Sequence, residues 1–204
     1  MTETGCKAPA VPAGGAVALR KAVMGDLPVL LRLINDNAAQ GLMLPRSEFE
    51  LAENLRDFTV AVLEGQPVGC CALHFYSASM GEIRSLAVDP AARKQGTGRK
   101  LVEALVEEAR ACGLLAVFAF TYIPGFFARL GFREIEREAL PLKAWKDCLR
   151  CPKFQCCDEI AVVMPLDGPE ALAAGGKRAA NGEDEAVRWL PVMRVAAGER
   201  GLKA

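Results

Sequence analysis

The spacing of hydrophobic positions changes several times along this chain, and each change marks an element. Val17–Arg20 is a short apolar run that reads as a strand. Asp26 then reads as the cap of a helix that tolerates Pro28 in its first turn. Its buried face carries Leu30, Leu33 and Ile34, and Gly41 lies beyond its end. Ser47 and Glu50 have the spacing of a capping box for a second, shorter helix. Phe58–Leu63 and Val68–Tyr76 are rich in β-formers and flank a Glu-Gly-Gln-Pro turn, the pattern of an antiparallel hairpin. Glu82–Val88 is a further strand, stopped by Asp89-Pro90. The clearest helix is Arg99–Cys112, with Leu101, Val102, Leu105, Val106 and Ala109 in one stripe and Gly113 at its end. Leu114–Phe120 follows as a buried strand, then a short helix near Pro124–Leu130, a strand opened by Gly131-Phe132, and a closing strand over Asp158–Leu166. This order predicts a mixed α/β (α+β) fold with a mostly antiparallel central sheet flanked by helices.

Periodicity fails at both ends. Residues 1–16 are small, Pro- and Gly-containing and aperiodic, and residues 167–204 mix Ala, Gly and scattered charge, so both read as disordered. One globular domain over 17–166 is the expectation. The chain has 204 residues, 51% of them hydrophobic, enough to bury a core without staples. Its 25 basic and 25 acidic side chains cancel, which argues against broad nucleic-acid or anionic-membrane binding. No apolar run approaches the ~20 residues that span a bilayer. The first residues lack the basic and apolar regions of a secretory signal, so a cytoplasmic location is expected.

The junction from Val88 to Leu101 carries the strongest chemical signal. A strand stops, a Gly-containing turn follows, and an amphipathic helix begins. Such a junction aims unpaired N–H groups and the positive end of the helix dipole at one point. Gly96 and Gly98 leave room for an anion's oxygens to approach the backbone, and Arg93, Lys94, Arg99 and Lys100 add positive charge. A pyrophosphate suits this arrangement. The spacing fits neither the P-loop G-x-x-x-x-G-K-S/T nor the dinucleotide G-x-G-x-x-G. Arg93-Lys94-Gln95-Gly96-Thr97-Gly98 instead has the form R/Q-x-x-G-x-G/A.

Here the chain resembles the Gcn5-related N-acetyltransferase (GNAT) superfamily, whose pyrophosphate loop on acetyl-coenzyme A has this form. A second segment, Phe126-Phe127-Ala128-Arg129-Leu130-Gly131-Phe132, is similar to the family's F-Y-x-x-x-G-F. A narrower resemblance is to the short single-domain N-acetylglutamate synthases. It rests on Leu44-Pro45-Arg46-Ser47, on Gly81 to Val88, on the Phe-Phe segment, and on Leu140 to Cys148 followed by Cys-Pro-Lys-Phe. The resemblance implies acetyl-coenzyme A as donor, contacted by Leu86, Ala87 and Val88, by the loop from Arg93 through Lys94, Gln95, Gly96 and Thr97 to Gly98, and by Phe127. It implies L-glutamate as acceptor and the opening step of arginine synthesis.

An α-amine is mostly protonated near neutrality and must lose a proton before it attacks. Glu82 stands where many such enzymes place a general base, and strand alternation puts Arg84 on its face unless a bulge intervenes. The slot that often holds a Tyr acid is filled by Phe127, which has no proton to give; Tyr122, just upstream, is the substitute candidate. Two substrate carboxylates call for cations, and Arg46, Arg84 and Lys143 are the candidates. The single histidine, His74, reads as a packed strand residue.

Cys148, Cys151, Cys156 and Cys157 place four thiols within ten positions. A structural zinc is one reading; free thiols or a redox-labile pair is the other, since adjacent cysteines cannot form the usual chelating loop. Cys70, Cys71 and Cys112 read as core. Another small amine or a protein N-terminus as acceptor, a non-catalytic acyl-coenzyme A sensor, and a homodimer all remain open at this point.

Overall fold

The computed structural model describes residues 16–93, 95–140, 149, 151, 153 and 156–166. The strands are β1 (Ala18–Lys21), β2 (Phe58–Leu63), β3 (Gln66–Phe75), β4 (Met80–Val88), β5 (Ala116–Thr121), β6 (Arg133–Ile135) and β7 (Ile160–Pro165). The helices are α1 (Leu27–Ala39), α2 (Glu48–Glu53), α3 (Thr97–Ala111) and α4 (Pro124–Ala128). The strands form one seven-stranded sheet in the order β1-β2-β3-β4-β5-β7-β6. The pairs β1–β2, β5–β7 and β6–β7 are antiparallel, whereas β4 and β5 run parallel. A parallel pair needs a crossover, and α3 supplies it. By contacts the chain divides into two compact units, Met1–Cys71 with Ser85–Leu101 and Ala72–Arg84 with Val102–Ala204.

In the first unit, α1 buries Leu30, Leu33 and Ile34 and packs on α2. The Ser47–Glu50 capping box forms in both directions: Glu50 N donates to Ser47 Oγ, and Ser47 N to Glu50 Oε2 at 2.9 Å. The hairpin turn is tighter than the sequence suggested. Glu64 and Gly65, with φ of 51° and 77°, make a two-residue loop, and Gln66-Pro67 already belong to β3. Both central residues of this hairpin turn take positive φ, which matches strand twist. The expected Asp26 cap is corrected. Asp26 makes no side-chain bond to α1; its carboxylate instead takes both Arg20 guanidinium nitrogens (2.7 and 2.9 Å) and Val23 N (2.9 Å). A charge-assisted fork outcompetes a helix amide for the same oxygens.

In the second unit, Tyr76, Met80, Ala116, Phe118, Leu140, Ala161 and Val163 form a buried cluster, with Phe120 and Ile135 packed against it. The Phe118 ring contacts Tyr76 and Phe120 at centroid distances of 5.6 and 6.2 Å. Truncating such a ring to Ala removes ~3–5 kcal/mol. His74 is half-buried against the edge of Tyr76, as a packed strand residue should be. Cys112 departs from expectation: it follows the last turn of α3 and is exposed, outside the buried stripe, whereas Cys70 and Cys71 are fully buried. Burial pushes the Cys70 thiol up to about 12, so it stays protonated and packs as a small apolar group.

Candidate active site

The turn after β4 is held by its own polar groups. Asp89 N donates to Val68 O on β3 at 2.8 Å, and Asp89 Oδ1 accepts from Ala91 N, fixing a 3₁₀ turn over Pro90–Ala92. Helix α3 begins at Thr97, two residues earlier than the apolar stripe implied, because Gly96 serves as its cap: Lys100 N donates to Gly96 O at 3.0 Å. Gly96 has φ of 76°, and an added Cβ there would meet no protein atom within 4 Å, so the space before the turn is open. The first N–H groups of a helix have no carbonyl within it to bond. Those of Thr97 and Gly98 therefore have no acceptor within the helix, as the anion cradle expected from the sequence requires.

The side chains predicted to join this cradle mostly build it instead. Arg93 Nε donates to Val88 O (3.0 Å) and Arg93 Nη2 to Asn37 Oδ1 on α1 (3.4 Å). Gln95 Nε2 donates to Ala91 O, and the buried Thr97 hydroxyl to Ala92 O. Leu86 and Val88 are half-buried and Ala87 is buried. Lys94 lies outside the described residues. Beside the turn is a cavity of about 380 Å³, lined in part by Arg32, Asn37, Gln40, Val88 and Arg93.

Glu82 and Arg84 do share a face of β4, as alternation predicted. Glu82 is 8% exposed and opposite Phe118 of β5. Its Oε2 lies 3.8 Å from Arg84 Nη1, an ion pair longer than a hydrogen bond, with both side chains largely buried. Gly81 allows this packing: a Cβ there would sit 2.9 Å from methyls of Leu73 and Leu114. One residue past Arg84, Ser85 takes φ of 55°, a left-handed kink that interrupts alternation in β4. The Arg84 guanidinium offsets part of the cost of burying the Glu82 charge. Arg84 thus serves Glu82 directly, a partner the sequence offered instead as a carboxylate binder.

Tyr122 follows the end of β5, where Thr121 pairs with Ile160 of β7. It is half-buried, and Lys153 Nζ donates to its hydroxyl at 3.3 Å while lying 4.9 Å from the ring centroid. Burial raises the Tyr122 phenol above its ordinary value, opposed by the Lys153 hydrogen bond, so it stays protonated. Lys153 also bonds Asp158 (3.2 Å). Nearby, Arg137 Nη2 donates to Cys157 Sγ (2.6 Å) and Glu159 O (2.8 Å), and Arg137 covers the Phe120 ring. Burial raises the Glu159 carboxyl despite Arg137. Lys153, Arg137 and Glu159 were missed by sequence reasoning; the Cys-Pro-Lys-Phe string contained Lys153 but nothing in its spacing pointed to Tyr122.

Arg46 is half-buried beside α2. Its backbone pairs both ways with Asn35 of α1 (2.9 and 3.0 Å), and its Nη1 lies 4.0 Å from Glu50. Phe127 is buried edge-on between Phe126 and Phe132, each with centroids at 5.2 Å, which gives it a packing role in α4. Lys143 and Cys148 lie outside the described residues. Cys151, Cys156 and Cys157 are free thiols, and among the described residues no group of three His, Cys, Asp or Glu is placed to hold a metal ion. The structural zinc finds no support among the described residues. No helix among the described residues is long and apolar enough to cross a membrane.

Residues 54–134 match the family model described as an acetyltransferase (GNAT) domain. The chain is 45% identical over 148 residues to N-acetyltransferase CT2212 of Chlorobaculum tepidum, itself uncharacterised, spanning 72% of this chain and 96% of that one. It is 37% identical to the amino-acid acetyltransferase of Mycobacterium tuberculosis, over 65% of this chain and 77% of that one. Among solved structures, N-acetylglutamate synthase from Neisseria gonorrhoeae, complexed with coenzyme A and N-acetyl-glutamate, aligns with a TM-score of 0.68 at 31% identity. That alignment covers 75% of this chain but 36% of the Neisseria chain, so this chain spans about a third of that protein's length. The chain belongs to the GNAT superfamily of N-acetyltransferases. It is an acetyl-coenzyme A-dependent acyltransferase.

Proposed function

We propose that the chain transfers the acetyl group of acetyl-coenzyme A to the α-amine of L-glutamate, and so serves arginine synthesis in the cytoplasm. The observation that carries the chemistry is Glu82, a buried carboxylate ion-paired to Arg84, on the strand that runs on into a glycine-capped helix. The acceptor rests on the relatives that are amino-acid acetyltransferases and on Arg46.

Bound acetyl-coenzyme A supplies a thioester carbonyl open to attack. The N–H groups of Gly96, Thr97 and Gly98 hold its pyrophosphate, and the first turn of α3 adds the positive end of its dipole. Glu82 accepts the proton that the α-ammonium must lose, and Arg84 keeps Glu82 in place. The new N–C bond forms as the C–S bond breaks, Tyr122 donates its proton to the departing sulfur, and the nitrogen's remaining surplus proton returns to the tyrosinate. Arg46 takes a substrate carboxylate, with Lys143 as a second candidate for the other. Phe127, packed between Phe126 and Phe132, has no proton to give and takes no part in proton transfer.

The test is steady-state turnover of the full chain with acetyl-coenzyme A against a panel of L-amino acids and a polyamine, followed by thiol release. L-Glutamate should show the highest kcat/KM, well above L-glutamine, because an amide leaves a buried cation without its anion. Arg46→Ala should raise KM for glutamate on the order of tenfold to a hundredfold, the worth of hydrogen bonds to a charged group, with KM for acetyl-coenzyme A unchanged. Equal use of glutamate and the polyamine overturns the acceptor assignment.

A further inference from the structure

An ammonium has three donors and no acceptor, whereas a phenol can give or take. Where Lys153 Nζ meets Tyr122 Oη at 3.3 Å, the phenol must therefore be the acceptor, and its own proton is left for another partner. The same ammonium bonds both oxygens of Asp158, at 3.2 and 3.5 Å, and this carboxylate is the obvious competing acceptor for the phenolic proton. The approach of Lys153 to the Tyr122 ring, 4.9 Å from its centroid, fixes the ammonium from a second direction. Resting on the reading of Tyr122 as proton donor to the leaving thiolate, we propose that Lys153 is a positioning residue. It pairs with Asp158, which also interacts with the Tyr122 hydroxyl, and donates to the phenol oxygen, so that Asp158 draws the Tyr122 proton less strongly and the proton can pass to the departing sulfur.

The charged groups facing Tyr122 are Lys153, Asp158 and Glu159, and Glu159 is in turn faced by Arg137 and Cys157. Lys153 is the one cation among the three that act directly on the phenol, and its effect is to favour tyrosinate. Removing it leaves two carboxyl groups and burial to raise the phenol further. Asp158 then loses the cation that lowers it and draws the phenol proton more strongly, while the phenol has no donor on its other side.

The experiment compares Lys153→Met, Lys153→Arg, Asp158→Asn and the double variant Lys153→Met/Asp158→Asn, with Tyr122→Phe as reference. Turnover is read across pH with saturating substrates. Lys153→Met should lower kcat on the order of tenfold, less than the ~10²–10⁴ that a general acid supplies, with KM for acetyl-coenzyme A unchanged. Lys153→Arg, also a pure donor, should restore most of the rate. The double variant should recover part of it, because the trap is gone along with its guard; a merely structural lysine would give an additive or worse double. The chain has two tyrosines, so a Tyr76→Phe background isolates Tyr122. In that background the tyrosinate midpoint, followed by ultraviolet difference absorbance, should move up on Lys153→Met and return on Lys153→Arg. Wild-type kcat in Lys153→Met, or no recovery on adding Asp158→Asn, overturns the positioning role while leaving the donor reading intact. Wild-type kcat in Tyr122→Phe overturns the donor reading and the positioning role with it.

Discussion

The turn between β4 and α3 and the cluster around Tyr122 are built in opposite ways. The turn is made of backbone: one glycine at positive φ, a 3₁₀ turn, and the first amides of a helix, with Arg93, Gln95 and Thr97 spent on holding the loop. The cluster is made of side chains from separate stretches: Tyr122 after β5, Arg137 after β6, and Lys153, Asp158 and Glu159 before β7. A backbone site tolerates changes of side chain and fails when a Cβ appears at the wrong place. A side-chain site fails when one functional group is lost, even by an isosteric change. The Glu82–Arg84 pair on β4 is of the second kind, so an isosteric change there gives the sharpest contrast with the loop.

Glu82→Gln keeps the volume and removes the proton acceptor, and it is the largest effect expected. Turnover should fall ~10²–10⁴-fold, the usual contribution of a general base. Acetyl-coenzyme A affinity, measured by calorimetric titration, should stay near the wild-type value. Wild-type turnover near neutral pH would return Glu82 to a purely structural role beside Arg84. A matched loss of cofactor affinity would instead blur the division between side-chain and backbone sites.

Gly96→Val probes the backbone kind. A β-branched residue at φ near 76° is strained by ~1–3 kcal/mol, and its side chain enters the open space before the turn. Cofactor affinity should fall on the order of tenfold to a hundredfold, while a thermal melt shows the rest of the fold retained. Replacing Gln95 with Ala, by contrast, should leave affinity within a few-fold, because its amide reaches Ala91 O rather than outward. Unchanged affinity in a folded Gly96→Val variant would remove the cradle.

The same division explains what the sequence made legible. The loop could be read because its geometry is local: Gly96 and Gly98, a stopped strand and an amphipathic helix lie within a dozen or so positions. The Ser47–Glu50 box and the Glu82–Arg84 face were legible for the same reason, since both partners lie within three residues. The Tyr122–Lys153 contact spans 31 positions and depends on β5 pairing antiparallel with β7, a register no spacing rule supplies. Cys112 was misjudged because apolar neighbours in sequence are not neighbours on a helix face. Asp26 was misjudged because a cap position says nothing of a better partner arriving from β1.

Asp26 sharpens the comparison from the structural side, because it is a side-chain cluster outside the proposed proton transfers. Its carboxylate is nearly buried and takes three hydrogen bonds, two from Arg20 and one from Val23 N. The Arg20 hydrogen bonds hold it below its ordinary value, with burial opposing and Val23 N helping. A carboxyl whose folded pKa is depressed contributes stability that is present above its unfolded value. That contribution is lost as pH falls through the folded value, so the window lies at and below the ordinary carboxylate range. Asp26→Asn should therefore lower stability at neutral pH by about 1–2 kcal/mol, the worth of weakened hydrogen bonds to one charged group, with kcat and both Michaelis constants unchanged. In acid the gap should close, because the wild-type carboxyl is then neutral as well and both proteins have lost the ion pair. Denaturant unfolding at neutral pH and again well below the carboxylate range measures both statements. A gap that stays constant with pH would mean that the shape of residue 26, rather than its charge, ties β1 to the start of α1. A loss of turnover would place this cluster with the chemistry after all.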